Sequence, residues 1–279
     1  DAKVLDEITF PLEEQDDFGR IAAQAAKQVI IQKIREAERT SILAQFAKQE
    51  GEIVSGRVQN IERGTVFLDL GKATGIIPRE EQIPQERYRQ GERMRAYLYQ
   101  VDESPRGINL RLSRAHPQFI AKLFEVEAPE IASGSVVIES IAREPGSRSK
   151  IAVYSKESSI DPIGSCVGQR GVRVSTVINE LGGEKIDIIE WSAKPETFIM
   201  NSLSPAKIDS IELDSDAKAA RVTVQADQFS LAIGKGGQNV RLAAKLTGWK
   251  IDIIAPAGET TTKEESGEIT AEIEATPAA

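Results

Sequence analysis

Two short glycine motifs are the residues whose types and spacing are best suited to hold a phosphate group. Gly168–Gly171 (GQRG) recurs downstream as Gly234–Gly237 (GKGG). In a turn that precedes a helix, such a motif places backbone N–H groups at the positive end of the helix dipole, which attracts anions. Glycine has no Cβ atom and lets a sugar-phosphate chain approach the main chain closely. The motifs therefore predict two clamps for a nucleic-acid backbone.

Basic side chains accompany both motifs. One lies inside each motif and another follows within a turn of helix, where it adds positive charge to the same anion site. The predicted RNA-binding residues are Gly168, Gln169, Arg170, Gly171, Arg173, Gly234, Lys235, Gly236, Gly237 and Arg241.

The two motifs belong to a duplicated segment. Cys166–Gly168 corresponds to Ala232–Gly234, and Lys185–Ile189 returns as Lys250–Ile254 with the same sequence, KIDII. A single glycine motif is weak evidence because tight turns use glycine often. Two motifs at the same place in two similar segments indicate that the chain carries two copies of one small domain.

Each copy has the predicted order α-β-β-α-α-β, with its glycine motif between the last two helices. The join around Ser192–Pro195 is short, which favours a fixed orientation of the copies. The predicted helices are 118–127, 161–166, 172–181, 197–203, 229–233 and one that ends at 246. The predicted strands are 136–142, 151–154, 186–191, 208–213, 220–224 and 249–254. Some apolar residues beside the motifs either shape a groove for bases or fill the cores, and we expect the core for most: Val167, Val172, Val174, Ile233, Val240 and Leu242.

A different pattern precedes the duplication. Five short segments with alternating or β-branched residues, separated by glycines, predict a five-stranded OB-type barrel. Phe67, Tyr97 and Tyr99 are candidates either for stacking on bases or for the core. The predicted strands are residues 53–58, 65–70, 74–77, 95–99 and 108–112.

The two ends of the chain differ from this pattern. A short strand is predicted at 4–12, followed by an N-cap at Asp16-Asp17 and a long connector helix to about Lys48. Residues 257–279 are rich in Thr and Glu with few large apolar residues, which predicts a disordered acidic tail.

Composition and spacing argue against several other chemistries. The 279 residues include one cysteine, Cys166, and one histidine, His116, so an internal disulfide is excluded, and a zinc site or a Cys–His nucleophile is disfavoured. The glycine motifs fit neither a Walker A loop nor a dinucleotide-binding loop. No run of apolar residues is long enough to span a membrane, which predicts a soluble intracellular protein. We therefore expect no catalytic residue, no metal and no cofactor.

The net charge of −8 does not exclude a nucleic-acid partner. Residues 228–251 contain Lys235, Arg241, Lys245 and Lys250 and no acidic residue. Salt confines the field of each charge to a Debye length of about 8–10 Å, so a local basic face can bind phosphate on an acidic chain.

Particular motifs resemble those of known families. The α-β-β-α-α-β unit with its glycine motif resembles the type II KH domain, and Ile76–Pro78 with Leu112–Arg114 resembles the OB barrel of the ribosomal S-one type. The barrel followed by two such units is similar to the NusA family of bacterial transcription elongation and termination factors. Four runs carry this similarity, which covers residues 1–256: Asp17–Gln24, Glu80–Pro84, Ala142–Lys150 and Leu231–Ala243.

The resemblance implies a cytoplasmic, non-enzymatic protein that binds single-stranded nascent RNA and bacterial RNA polymerase. It further implies modulation of pausing, termination and antitermination, together with other elongation and antitermination factors. We expect a monomer without a membrane partner. In barrels of the S-one type, two aromatics and a histidine usually form a stacking platform, whereas Arg63, Val66 and Pro78 occupy those places here. Whether the barrel binds RNA is therefore open.

The predicted fold class is α+β with several domains. Residues 1–50 form a remnant of the family's N-terminal domain with the connector helix, 51–115 the barrel, 116–192 the first KH domain, 193–256 the second, and 257–279 the tail. Because that N-terminal domain is reduced to a strand and a helix, we expect the main polymerase contact to lie outside this chain.

Two alternatives remain: the RNA-binding module of an RNA-processing exonuclease, or a ribosome-associated RNA-binding protein. In phosphorolytic ribonucleases one KH domain usually precedes one barrel, which is the reverse order. No carboxylate cluster for metal-assisted cleavage is evident in the sequence.

Overall fold

The computed structural model describes residues 19–104 and 107–254. They form a long helix, a closed five-stranded barrel and two α/β units with three-stranded sheets. The fold class predicted from the sequence is confirmed. The strand predicted at 4–12, the N-cap predicted at Asp16-Asp17 and the predicted tail lie outside the described residues. None of the described helices is long and apolar enough to cross a membrane.

Helix α1 (Arg20–Ala47) leads into the barrel. Its N-cap is Gly19, which makes no side-chain hydrogen bond to the first turn. At the other end, Phe46 is 4% exposed and packs with Ile42 against the barrel core. Farther from the barrel the helix exposes apolar side chains, among them Ile30 and Ile34. Its contact with the barrel core is thus made by its C-terminal turns.

The barrel closes in the strand order β1-β2-β3-β5-β4. Alternate residues point inward, so that Val58, Val66, Leu68, Leu98 and Leu110 are almost completely buried. All five predicted strands are present; three of them extend farther than predicted, and one ends a residue earlier. The strands are β1 (Ile53–Glu62), β2 (Thr65–Asp69), β3 (Thr74–Ile77), β4 (Arg93–Ser104) and β5 (Gly107–Ser113).

The first α/β unit packs its helices on one face of its sheet. Strand β7 is antiparallel to β6 and parallel to β8, and the core contains Phe119, Phe124, Ile151 and Val177. The elements are α2 (Pro117–Glu127), α3 (Pro129–Ala132), β6 (Val136–Glu144), β7 (Arg148–Ser155), α4 (Pro162–Val167), α5 (Val172–Glu180) and β8 (Lys185–Glu190).

The second unit repeats this topology, which confirms the duplication. Strand β10 is antiparallel to β9 and parallel to β11, and the core contains Ile199, Val222, Val240 and Ile251. The elements are α6 (Pro195–Ser202), β9 (Ser210–Asp214), β10 (Ala219–Thr223), α7 (Ala226–Ile233), α8 (Gln238–Thr247) and β11 (Lys250–Ile254).

Buried contacts fix the barrel to the first unit. Ile83 of the barrel belongs to the core of the first unit and is 4% exposed. The Arg114 side chain, 3% exposed, pairs with Glu86 at 2.6 Å and donates to the Glu180 carbonyl oxygen at 2.7 Å. Since a buried charge is stable only when it is paired, this network specifies how the two domains join.

A second buried interface joins the two α/β units. Leu242 and Leu246 of α8 pack against Ala142, Ala152 and Ile189 of the first sheet. The orientation of the units is therefore set by apolar packing as well as by the short join predicted from the sequence.

A buried lysine adds polar bonds to this interface. The Lys150 side chain pairs with Asp187 at 3.3 Å and donates to the Ser204 carbonyl oxygen of the second unit at 3.1 Å. Both partners satisfy a charge that is removed from water, so the contact specifies one arrangement of the units.

Candidate nucleic-acid interface

Gly168–Gly171, the first loop, and Gly234–Gly237, the second loop, have the same backbone conformation. Gly168 has φ 72° and ψ 176°, and Gly234 has φ 75° and ψ 171°. The third and fourth residues of each loop are left-handed, with φ between 54° and 76°. Each loop lies between two helices, as the sequence predicted.

The first glycine of each loop is required by space as well as by conformation. A Cβ atom on Gly168 would lie 2.7 Å from Cγ of Arg173, and one on Gly234 would lie 2.9 Å from the backbone nitrogen of Asn239. With ψ near 180° at positive φ, both positions also occupy a region that only glycine visits readily. These two glycines therefore shape the loops, whatever binds to them.

Helices α5 and α8 begin immediately after the loops and have no side-chain cap. The first N–H group of each helix donates to a loop carbonyl oxygen, from Val172 to Gln169 and from Gln238 to Lys235. The N–H groups that follow in the first turn have no side-chain cap and lie at the positive end of the helix dipole. The two helices have 9 and 10 residues, so that each dipole spans more than two turns. This arrangement is suited to an anionic oxygen at each loop.

The middle residues of both loops are exposed. Arg170 and Lys235 form no ion pair within the described part of the chain, so both charges remain available to a ligand. Arg170 adopts a left-handed backbone with φ 54°, which costs a non-glycine residue about 1–2 kcal/mol. The second loop has Gly236 at this place and avoids that cost.

Arg173 is held by its own domain. Its guanidinium pairs with Glu130 at 2.9 Å and donates to the Ser165 carbonyl oxygen at 2.6 Å. It lines a cleft of about 630 Å³ beside the first loop, together with Asp161 and Val172. The structure therefore places this predicted binding residue at the loop but with two protein partners.

Arg241 reaches across to the first α/β unit. Its Nε atom donates to Glu144 at 2.6 Å, and a terminal nitrogen donates to the Gly236 carbonyl oxygen of the second loop at 3.1 Å. Gln238 donates to the same Glu144 carboxylate at 2.7 Å. Burial opposes the charged form of Glu144, but the bonds from Arg241 and Gln238 prevail and lower the pKa of its carboxyl.

Sequence reasoning missed two residues that support the second loop. The buried Asn239 amide donates to the carbonyl oxygens of Leu203, Leu231 and Ala232 and so ties α8 to α7. Glu144 supports the loop from the neighbouring unit. Asn239 could have been recognised in the sequence as a polar residue among the apolar positions of α8. The sequence around Glu144 gives no indication of its role.

The apolar residues near the loops divide into two groups. Val240 and Leu242 are fully buried and fill cores, as expected. Val172 is 64% exposed and therefore does not fill the core; it follows the first loop directly and faces solvent. Leu231 is 48% exposed in the helix before the second loop. Each loop thus has an apolar side chain beside it on which a base can rest.

His116 and Cys166 have structural environments. His116 Nδ1 accepts a hydrogen bond from the Gln118 N–H at the start of α2, and its ring stacks on Tyr97 at 5.0 Å and Tyr99 at 6.5 Å. Cys166 is buried in the first core, where burial raises the pKa of its thiol to about 12. No cluster of metal-binding side chains occurs among residues 19–104 and 107–254.

The barrel does not present the stacking platform that is usual for its type. Val66, at one of the predicted platform positions, is fully buried in the barrel core. Tyr97 and Tyr99 stack on His116 at the junction with the first unit. Of the two roles considered for Tyr97, packing is the one observed, since it also contacts the core of the first unit.

Family models match successive segments of the chain. They describe a NusA N-terminal domain at residues 1–40, an S1 RNA binding domain at 47–113, a NusA-like first KH domain at 114–191 and a NusA-like second KH domain at 195–261.

Similar proteins from several bacteria bear the name transcription termination/antitermination protein NusA. The Halalkalibacterium halodurans protein is 50% identical over 85% of this chain and 62% of its own length. The Thermus thermophilus protein is 49% identical over 90% of this chain and 65% of its own length. The Mycobacterium bovis protein is 48% identical over 92% of this chain and 78% of its own length. The chain thus spans less than two thirds of the first two relatives.

Proposed function

The chain belongs to the NusA family, and we propose from this premise that it is an RNA-binding transcription elongation factor. It associates with bacterial RNA polymerase and nascent RNA and modulates pausing, termination and antitermination. Its two glycine loops hold the sugar-phosphate backbone of single-stranded RNA. The observation that carries the proposal is the shared backbone conformation of the two loops, each at the start of a helix without a side-chain cap. Each loop also has a basic side chain, Arg170 or Lys235, that forms no ion pair with the described residues.

In this proposal each loop binds one stretch of about four nucleotides, the length that a KH loop grips. Phosphate oxygens accept hydrogen bonds from N–H groups in the first turns of α5 and α8, beyond the first N–H group of each helix, which donates to its loop. Arg170 and Lys235 neutralise neighbouring phosphates, while bases rest on the exposed Val172 and Leu231. Because a packed interface fixes the two units, the loops are preorganised for one continuous strand.

The names of the relatives support the other parts of the proposal. They place similar proteins in transcription termination and antitermination, so we propose RNA polymerase and other elongation factors as partners. We further propose that the protein acts as a monomer in the cytoplasm and has no catalytic activity of its own. The RNA-binding residues are those predicted from the sequence, with Arg173 and Arg241 bracing the loops as well.

A double charge reversal tests the loops. Arg170→Asp combined with Lys235→Asp places carboxylates where phosphates are proposed to lie, so the affinity for single-stranded RNA should fall about tenfold or more. Fluorescence anisotropy with a labelled oligonucleotide measures this loss, and circular dichroism confirms that the fold is retained.

The matched control reverses two exposed lysines at the other ends of the same helices. Lys185 lies shortly after α5 in the sequence. Lys218 lies near the end of α8 in space, because its carbonyl oxygen accepts a hydrogen bond from the Lys250 N–H, which follows α8. Lys185→Asp with Lys218→Asp changes the net charge by the same amount, yet it should leave most of the affinity intact. RNA binding by the folded loop variant at wild-type strength, or an equal loss in the control, would contradict the proposal.

Association with the transcription machinery needs a separate measurement. With purified bacterial RNA polymerase, the wild-type protein should change the lifetime of a pause, and the loop variant should change it less. Cosedimentation with ribosomes but not with polymerase would instead favour a ribosome-associated role.

A further inference from the structure

A group of arginines lies on the outer face of the barrel, away from the two loops to which the proposed function assigns RNA binding. Ser55 and Arg57 on β1 lie opposite Arg95 and Arg93 on β4, and all four side chains are exposed. They share the outer face because the intervening residues of β1 are buried. Between them and the C-terminal end of α5 lies a cleft of about 430 Å³, lined by Ser55, Arg93, Met94, Arg95 and Glu180. We call this group with its cleft the arginine cleft.

The positive charges of the arginine cleft are incompletely neutralised. Arg57 and Arg93 face each other across the strand pair, an arrangement that is destabilising for like charges. Arg93 donates to the Ser55 hydroxyl at 3.0 Å, which supplies no negative charge. Arg57 has no ion pair within the described residues, and Asp69 opposite it on β2 instead accepts a bond from the Gly71 N–H.

The acidic residue in the cleft is already shared. Glu180 lies 3.9 Å from Arg95 but 3.1 Å from the buried Arg114, to which it is more tightly bound. Two guanidinium groups, those of Arg93 and Arg95, therefore line a cleft whose carboxylate is partly used elsewhere, and Arg57 lies opposite Arg93 on the same face. On a chain with a net charge of −8, such a surface is suited to an anionic ligand.

The cleft is held at a fixed distance from the first loop. Helix α5 begins at that loop and ends at Glu180, and a helix of nine residues spans about 13 Å. The barrel cannot swing away without breaking the buried contacts of Ile83 and Arg114. An RNA strand that leaves the first loop along α5 would therefore meet the arginine cleft.

We propose that the arginine cleft binds phosphodiester groups of the same RNA strand, beyond the segment held by the two loops. This inference rests on the proposed function. Guanidinium groups bind phosphate oxygens through paired hydrogen bonds, and Arg57, Arg93 and Arg95 present three of them on one face. RNA is favoured over a protein partner because Met94, the apolar residue of the cleft, is only partly exposed, whereas protein interfaces are anchored by large apolar side chains.

The test combines two RNA lengths with one variant of the full chain. An oligonucleotide of about eight nucleotides covers two loop segments, and one of about 16 nucleotides extends beyond them. The double variant Arg57→Gln with Arg93→Gln should lower the affinity for the long RNA about three- to tenfold. Its affinity for the short RNA should stay unchanged. Against salt concentration, the log–log slope for the long RNA should become shallower by about 1.4, since each lost phosphate contact contributes about 0.7.

The control removes two charges from the second unit, at the end that corresponds to the position of the arginine cleft beside the first unit. Lys218→Gln with Arg221→Gln alters an exposed hairpin and should leave the affinity for the long RNA unchanged. Equal losses in both double variants, equal losses for both RNA lengths, or no loss for the long RNA would each overturn the inference. Should the double variant unfold, Arg57→Gln alone gives a smaller loss of affinity for the long RNA, and it breaks no ion pair with the described residues.

The two proposals fail in different ways. If the loop variant of the previous section loses affinity while the arginine variant binds like the wild type, the proposed function stands and the arginine cleft is rejected. If the loop variant also binds like the wild type, the proposed function itself is rejected.

Discussion

The two loops have the same backbone conformation but are stabilised by different contacts. Arg173, five residues after the first glycine of the first loop, pairs with Glu130 and donates to Ser165 within its own unit. The equivalent residue after the second loop is Asn239, a buried amide that bonds to three carbonyl oxygens. The second loop is also linked through Arg241 to Glu144 of the other unit.

This difference indicates where each loop obtains its rigidity. The first loop depends on partly exposed contacts and contains a left-handed Arg170. The second depends on buried bonds and on the neighbouring unit. A duplicated domain can therefore keep one backbone shape while its side chains adapt each copy to its place in the chain.

The largest expected difference between the loops concerns their first glycines. Ala at either position is strained by about 1–3 kcal/mol because of the backbone angles. At Gly168 the new Cβ meets the Arg173 side chain, which can move; at Gly234 it meets the backbone of Asn239, which cannot move easily. We therefore expect Gly234→Ala to lower the free energy of unfolding by about 3 kcal/mol and Gly168→Ala by about 2 kcal/mol.

Urea denaturation monitored by circular dichroism measures both values. Gly182→Ala is the control, since Gly182 has positive φ but no atom within 4 Å of its Cβ position. If Gly168→Ala proved the more damaging of the two loop variants, the comparison of their surroundings would be wrong.

The sequence predicted the parts of the fold that depend on local pattern. The strand and helix order of both units, the five barrel strands and the positions of the loops followed from periodicity and glycines, and each is present. The predicted N-cap at Asp16-Asp17 lies outside the described residues, in which α1 begins at Arg20 after Gly19.

Contacts between distant parts of the chain were beyond sequence reasoning. Arg173 and Arg241 were both predicted as binding residues, but Asn239, not Arg241, is the structural counterpart of Arg173. Glu144 meets Arg241 only because α8 packs against the first sheet. No spacing within the chain reveals such a pair, since it depends on the orientation of two folded units.

A smaller effect is expected from breaking the link between the units. Glu144→Gln removes the charge that holds Arg241, and the free energy of unfolding should fall by about 1 kcal/mol at neutral pH. The folded pKa of Glu144 is lower than its ordinary value of 4.5, so this contribution is present above that value. It is lost as the pH falls through the folded pKa.

Denaturation of wild type and Glu144→Gln across the acidic range measures this pH dependence. The two proteins should differ at neutral pH and converge in acid. Glu139→Gln on the same strand is the control, because Glu139 is exposed and has no such partner among the described residues. A difference that stays constant down to the most acidic pH would mean that the Glu144 charge does not support the link.

The smallest expected effect concerns the affinity of each loop for RNA. We expect the second loop to contribute more nonspecific affinity, because Lys235 lies in a sequence stretch free of acidic residues and Glu144, the carboxylate beside this loop, is paired with Arg241. Glu130 and Asp161 lie in the cleft beside the first loop, and Asp161 has no ion pair among the described residues. Nearby carboxylates within a Debye length repel phosphate, so Lys235→Ala should weaken single-stranded RNA binding about two- to fourfold more than Arg170→Ala. Anisotropy titrations at two salt concentrations measure the difference, with Gln169→Ala as a neutral control. Because the repulsion is screened by salt, the gap between the two variants should narrow at the higher concentration; a gap that is reversed, or that widens with salt, would show that the flanking carboxylates do not set the asymmetry.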